Sequence, residues 1–503
     1  MKRLVVTLLA SAILSACTLI PHYQRPSSPV PDGWPTDAVG PTPTANVNVG
    51  ARDPDSADQI GWRDFFADPA LQSLIEIALE NNRNLRIAVL NVAASEAQFR
   101  AERGNLFPAI SATGSGLVDK LPQNGAAPLG GSSGGSLAPT RGSGTTYHYY
   151  SAGIGFTNYE LDLFGRERSL TTEAFEQYLA QVETRRSSEI SLVSEVATDY
   201  FAVLADRKLV ELTLQTLQSE TESYELTKAM YEADTTTLLS LRQAESAVDA
   251  ARANLAQFQR QLAQDTHALT LVLGQAPGDV APGKDLDDEH LLAELPAGLP
   301  SDLLTHRPDI MSAEHTLRAA NANIGAARAA FFPSIQLTAS GGTATNRLSD
   351  LFSHGSGTWS FAPTITLPLF AGGRNRANLD LAHIEKNLTV AQYELAIETA
   401  FREVSDSLSA RSTYVEQHEA QQALVAADAE AYSLAQMRFQ SGVDSYLSTL
   451  DAQRSLYSAQ QELVAIRQAQ LANQVTLYKA LGGGWNQRTA SLPLLIQPPG
   501  RSP

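Results

Sequence analysis

The stretch GDVAPGKD, residues 278 to 285, comes close to the glycine-rich loop that wraps nucleotide phosphates. That chemistry needs a serine or threonine hydroxyl after the lysine to hold magnesium, and Asp285 stands there instead. The segment also follows a helical pattern where the loop should follow a strand, and prolines interrupt it. No zinc-binding HExxH pair and no nucleophile elbow occurs, and His306, His315 and His383 stand singly, as surface or packing histidines do. A formal charge of −17 argues against nucleic acid as a partner. No residue takes a catalytic, metal or cofactor role, and the chain is not read as an enzyme.

Cys17 is different, because its surroundings form a motif. It is the only cysteine in 503 residues, which excludes an intrachain disulfide. Lys2 and Arg3 precede an apolar run from Leu4 to Leu14, then small residues Ser15 and Ala16: a secretory signal peptide over 1–16, too short to span as a helix. The tetrad Leu14-Ser15-Ala16-Cys17 resembles the bacterial lipobox, in which the thiol takes up diacylglycerol, the leader is cut and the new amine is acylated. Past the leader no apolar run approaches ~20 residues, so no helix spans a bilayer and any crossing falls to strands.

The elements that must carry such strands come in two copies. RAERGNLFPAISATGSG (100 to 116) matches GAARAAFFPSIQLTASG (325 to 341) at an offset of 225, pairing Arg103 with Arg328 and Pro108 with Pro333. LDLFGRER (161 to 168) matches LPLFAGGRNR (367 to 376), and Tyr224, Leu239, Leu255 and Gly274 match Tyr432, Leu447, Leu463 and Gly482 at an offset of 208. The difference between the offsets places extra residues in the first copy, in a Gly/Ser/Pro-rich loop between its strands.

Each copy reads as helix, strand, strand, long helix, return helix. Residues 17–60 form an extended N-terminal segment. The first repeat, 61–274, holds a helix at roughly 70–103, strands at about 109–118 and 147–163, a long helix at about 169–232 and a return helix at about 236–272. A linker, 275–305, leads to the second repeat, 306–484, with strands at about 334–345 and 358–369, a long helix at about 376–440 and a return helix at about 444–481. Residues 485–503 are a tail. The long helices lack proline and glycine, so each can run unbroken for ~60 residues, near 95 Å. Leu381, Ile384, Leu388, Ala391 and Leu395 step by three and four; after a shift of register Ile397, Phe401, Val404 and Leu408 resume, which is coiled-coil spacing.

The strands alternate. Ile335, Leu337 and Ala339 interleave with Gln336, Thr338 and Ser340, and Trp359, Phe361 and Ile365 with Ser360 and Thr364; Tyr147, Tyr149, Tyr150 and Tyr159 sit where an aromatic girdle would lie. An apolar face, a small polar face and ~10 residues per strand suit a transmembrane barrel. Four strands per chain are too few to close one, and an open edge in lipid leaves backbone groups unsatisfied. The chain must therefore oligomerise if it spans, as a dimer of eight strands or a trimer of twelve.

With the lipobox, the segments PHYQRPSSPVPDGW (21 to 34), GWRDFFADPALQSLIEIALENNRNLRIA (61 to 88), LPSDLLTHRPDI (299 to 310) and RFQSGVDSYLSTLDAQRSLYSAQQEL (438 to 463) resemble the outer membrane factors of tripartite efflux systems, the TolC-like channels, in their lipoprotein branch. The resemblance implies an α+β membrane protein: a homotrimer with a twelve-stranded outer-membrane β-barrel continuous with a long periplasmic α-helical barrel. It implies a passive exit duct for drugs or solutes, opened at its periplasmic tip on assembly with an adaptor protein and an inner-membrane pump. The rival reading is a lipid-anchored periplasmic coiled-coil scaffold or adaptor.

The resemblance also points to residues. Leu447, Asp451 and Arg454, spaced i, i+4, i+7, share one helix face, and similar channels use the leucine and aspartate as constriction rings. Leu239, Gln243 and Ser246 match them in the first copy without the charges, and Phe439 replaces a tyrosine common in this branch. At the tips Gly442 can end the long helix in the left-handed conformation, and Asp444 or Ser445 can cap the helix returning. Asp234 stands where Gly442 does, so the two tips are expected to differ where an adaptor would dock.

Overall fold

The computed structural model describes residues 18–31, 33–34, 60–120, 146–276, 285–289, 291 and 307–485. The leader, Cys17, the loop between the first two strands, most of the 275–305 linker with its phosphate-loop lookalike, His306 and the tail beyond 485 lie outside the described residues. Twelve elements carry the fold: α1 (Trp62–Phe65), α2 (Pro69–Asn81), α3 (Arg83–Gly104), β1 (Ser111–Lys120), β2 (Thr146–Glu160), α4 (Arg166–Glu232), α5 (Leu238–Leu273), α6 (Pro308–Ala329), β3 (Ser334–Thr345), β4 (Gly357–Thr366), α7 (Arg374–Gln440) and α8 (Tyr446–Ala480). Two compact units divide the chain, one from 1–25, 94–178 and 316–389, the other from 26–93, 179–315 and 390–503.

The first unit holds one antiparallel sheet in the order β1-β2-β3-β4. The register makes the sequence alternation two-dimensional. Ile365 lies opposite Ile335, Phe361 opposite Ala339 and Trp359 opposite Gly341, which places these on one face with Phe156 and Ile154. The other face is small and polar, with Ser340 bonded to Ser360 and Ser115 to Ser151, each at 2.7 Å. The apolar face is open, Trp359 at 80 % exposure and Ile365 at 68 %. Gly342 faces Gly153 where β3 meets β2, and a Cβ on Gly342 would lie 2.2 Å from the Ala152 carbonyl oxygen. Between Phe156 and Tyr159 a bulge shifts the register, with Asn158 at φ 56°. Among the described residues the two outer strands leave one free edge each.

The same unit fixes residues 18–25. Arg328 donates to the Leu19 carbonyl (3.3 Å) and Asn321 to that of Pro21 (2.8 Å). A Cβ on Gly325 would strike Ile20 and Ser169, so glycine is what lets this segment lie against α6.

In the second unit the apolar stripe of α7 turns inward: Ile397, Ala400, Val404 and Leu408 are at most 2 % exposed. The stripe before the register shift is not, with Leu381, Ile384, Leu388 and Leu395 between 53 % and 63 % exposed. The shift read in the sequence therefore separates a face packed within the chain from one left for another. Trp62, Phe65, Phe66, Leu71 and Ile75 form a second core, where Phe65 stacks on Tyr478 at 4.1 Å. The helix expected over 70–103 is interrupted at Asn82. Its side-chain Nδ2 donates to the Val272 carbonyl at 2.7 Å and its backbone amide to that of Ala78 at 2.8 Å, while its Oδ1 accepts from the Leu85 amide, so one residue ends α2 and starts α3. Gly274, at φ 75°, closes the joint; a Cβ there would meet the Asn81 carbonyl at 2.4 Å.

Candidate functional site

α4–α5 and α7–α8 each end in a tight turn, and both turns sit in the second unit. After α7 the Val443 amide reaches the Arg438 carbonyl and the Gly442 amide that of Phe439, both at 2.9 Å, with Gly442 at φ 72°. This is the paired closure of a Schellman turn. After α4 the same bonds recur, Thr235 to Met230 at 2.9 Å and Asp234 to Tyr231 at 3.0 Å, with Asp234 at φ 56°. The expected difference between the tips is thus one of side chains: the backbones close alike, and aspartate accepts the left-handed conformation.

The capping expectation is corrected. Neither Asp444 nor Ser445 caps α8 with its side chain. Arg438 clamps the Asp444 carboxylate with two hydrogen bonds, from Nε at 2.5 Å and Nη2 at 3.1 Å, and holds its carboxyl below the usual carboxylate range. A bidentate guanidinium outcompetes a single backbone amide for that carboxylate. In the first tip Thr237 does cap, accepting from the Ser240 amide at 3.2 Å.

The first turns of α8 are anchored on one side only. Tyr446, Thr449, Leu450 and Gln453 are buried, packing with Phe439, Ala244 and Ala247 or bonding to Ala435 and Ser219. Helical geometry then turns Leu447, Asp451 and Arg454 outward. Leu447 is 46 % exposed, Asp451 and Arg454 are exposed, and among the described residues Asp451 has no ion pair or hydrogen bond. Leu239 is likewise exposed at 68 %, Gln243 half-buried and Ser246 exposed. Phe439 lies in an apolar cluster, its ring 5.5 Å from that of Tyr446.

A residue that sequence reading missed lies behind this face. Glu220 on α4 is 4 % exposed, accepts a 3.5 Å bond from the Tyr446 hydroxyl and feels the Arg454 guanidinium. Burial pushes its carboxyl up to about 7, against the pull of Arg454. The signal was the heptad Thr213, Glu220, Thr227, three buried positions seven apart with an acid in the middle. A raised folded-state pKa means the protonated acid is favoured by folding, so stability is full near pH 4.5 and is lost as pH rises toward 7, by about 3 kcal/mol per chain at most. Glu220→Gln is expected to flatten that part of the stability-against-pH curve. Denaturation of the solubilised protein at pH 5 and pH 8 checks it, and equal slopes for parent and variant would refute it.

The chain matches the family described as "Outer membrane efflux protein" over residues 74–275 and 299–483. It is 49 % identical over 490 residues, 97 % of each chain, to the probable efflux pump outer membrane protein TtgC of Pseudomonas putida. With the outer membrane protein OprJ of Pseudomonas aeruginosa it shares 41 % identity over 500 residues, covering 99 % of this chain and 98 % of that one. Among solved structures it resembles the open state of the MtrE outer membrane channel of Neisseria gonorrhoeae, with a TM-score of 0.81 and 37 % identity over 94 % of this chain and all of that one. The sheet with its apolar face, the long helices and these likenesses lead to one conclusion: the chain belongs to the outer membrane efflux protein family, as the outer membrane channel of an efflux pump.

Proposed function

We propose that three copies close one twelve-stranded barrel, β1 of each pairing with β4 of the next, and that the resulting duct passes solutes from periplasm to exterior. The observation that carries this is the sheet: two free edges, one apolar face open to lipid and one small polar face fit to line water. The exposed stripe Leu381, Ile384, Leu388 and Leu395 supplies a helical contact between copies. A lipid-anchored scaffold gives that apolar sheet face no use. Heat-modifiable trimers in detergent and ion conductance in planar bilayers are the expected results; a soluble monomer would overturn the reading.

The duct is gated at the helical tips and opened by an adaptor and an inner-membrane pump. Gly442 supports this, since a Cβ there would meet nothing within 4 Å among the described residues. Gly442→Trp is expected to leave trimers intact and abolish drug resistance in cells; unimpaired resistance would count against docking at Gly442, Asp444 and the matching Asp234. Cys17 is acylated, as a second anchor beside the barrel. Leu19 and Pro21, just after it in sequence, are held to α6 by Arg328 and Asn321. A barrel inserts almost irreversibly without help from a lipid, so Cys17→Ser should lose fatty-acid label while the protein still reaches the membrane. Label persisting in the variant would end the claim.

A further inference from the structure

We propose that a cleft at the base of the sheet is a binding site for amphipathic cations in transit. The cleft, about 300 Å³, lies where β2, β3 and β4 give way to helix, and its polar wall is formed by Glu160, Asp162, Arg166 and Gln336. Its place on the pathway rests on the duct reading above: Gln336 lies on the small polar face of β3, opposite Glu160 in register, and that face lines the water.

Two features point to the ligand's chemistry. The polar side has acceptors to spare. Glu160 takes one hydrogen bond, from Arg166 Nη1 to its Oε2 at 3.0 Å, leaving Oε1 without a partner among the described residues. The Gln336 carboxamide beside it makes no side-chain hydrogen bond there. The guanidiniums are committed, Arg166 to Glu160 and Glu167, Arg168 to Asp162. On the cleft wall itself two carboxylates, Glu160 and Asp162, stand against one guanidinium, Arg166, which is shared with Glu167 outside the wall. The apolar side is aromatic: Phe332 stacks on Phe164 at 4.7 Å and is still 41 % exposed. With Leu163 and Pro368 it offers a surface for a ring system, and a ring face attracts a cation. A protonated amine or phosphonium bearing aromatic groups satisfies both sides, and an anion of the same shape meets the excess charge.

Tetraphenylphosphonium and tetraphenylborate have that same shape with opposite charge. Calorimetry on the full-length detergent-solubilised protein is expected to show saturable phosphonium binding, one site per chain, and none of comparable strength for the borate. Glu160→Gln should weaken it about tenfold, and Arg166→Gln, which frees the carboxylate, should strengthen it. The opposite signs separate a site from a folding defect. Phosphonium binding untouched by both variants, or equal borate binding, would overturn the proposal. Glu160-dependent binding by a protein that conducts no ions would sink the duct reading and leave the cleft standing; conduction with binding indifferent to Glu160 would do the reverse.

Discussion

Gly342→Val is expected to abolish assembly of the channel, while Gly341→Ala one residue away leaves it intact. The contrast follows from what each new Cβ meets. At Gly342 it lies 2.2 Å from the Ala152 carbonyl oxygen and 2.5 Å from the Gly153 Cα, both backbone, so no rotamer relieves the overlap. At Gly341 it meets nothing within 4 Å. β2 and β3 must part to admit the valine, and among the described strands of one chain theirs is the pairing that joins the first repeat to the second. A backbone overlap of this kind belongs with changes that cost above about 4 kcal/mol, whereas a tolerated surface change stays within about 0.5 kcal/mol. Gel mobility of unheated and heated samples reads the outcome. Heat-modifiable trimers from Gly342→Val would show that the strands do not pack as described.

The second large effect is at the tip. Leu447→Ala with Asp451→Ala should raise single-channel conductance several-fold, and Leu239→Ala should change it little. Both residues stand on the α8 face that the chain's own packing leaves uncovered, while Tyr446, Thr449, Leu450 and Gln453 hold the opposite face in place. Around a threefold axis the leucines would form a ring that resists wetting, and the aspartates a ring of like charge. Among the described residues Arg454 makes no ion pair with Asp451, and its charge acts on Glu220. Any compensation for three aspartates must then come from a neighbouring copy or from cations. A double variant that conducts like the parent would refute the gate.

Much of the fold was legible because it is written in local rules. The absence of proline and glycine foretells α4 and α7, and period-two alternation foretells which sheet face is apolar. The register shift at Leu395–Ile397 marks where a stripe changes from exposed to buried, although the sequence does not say which half faces inward. What escaped depends on partners distant along the chain. Asn82 breaks a helix through a carbonyl 190 residues away, and asparagine alone does not announce that. Asp444 looked like a cap because spacing is silent on the competition from Arg438. Glu220 went unmarked because burial of one acid in a long amphipathic helix is decided by the helices packed on it. The cleft at Glu160 needed the register, since only pairing brings Gln336 beside it.

The joint at Asn82 also bears on how such a protein can change length. An α-helix turns ~100° per residue, so a single codon inserted into α4 or α7 would rotate every side chain beyond it away from its seam. At Asn82 the helical phase is reset: its backbone turns extended and ends α2, and its side-chain oxygen starts α3. A residue gained or lost there moves a cap and leaves the heptads on either side in step. Insertions and deletions fixed over evolution should therefore gather at this joint and at the tip turns, and the two long helices should keep their residue count while their surface composition drifts.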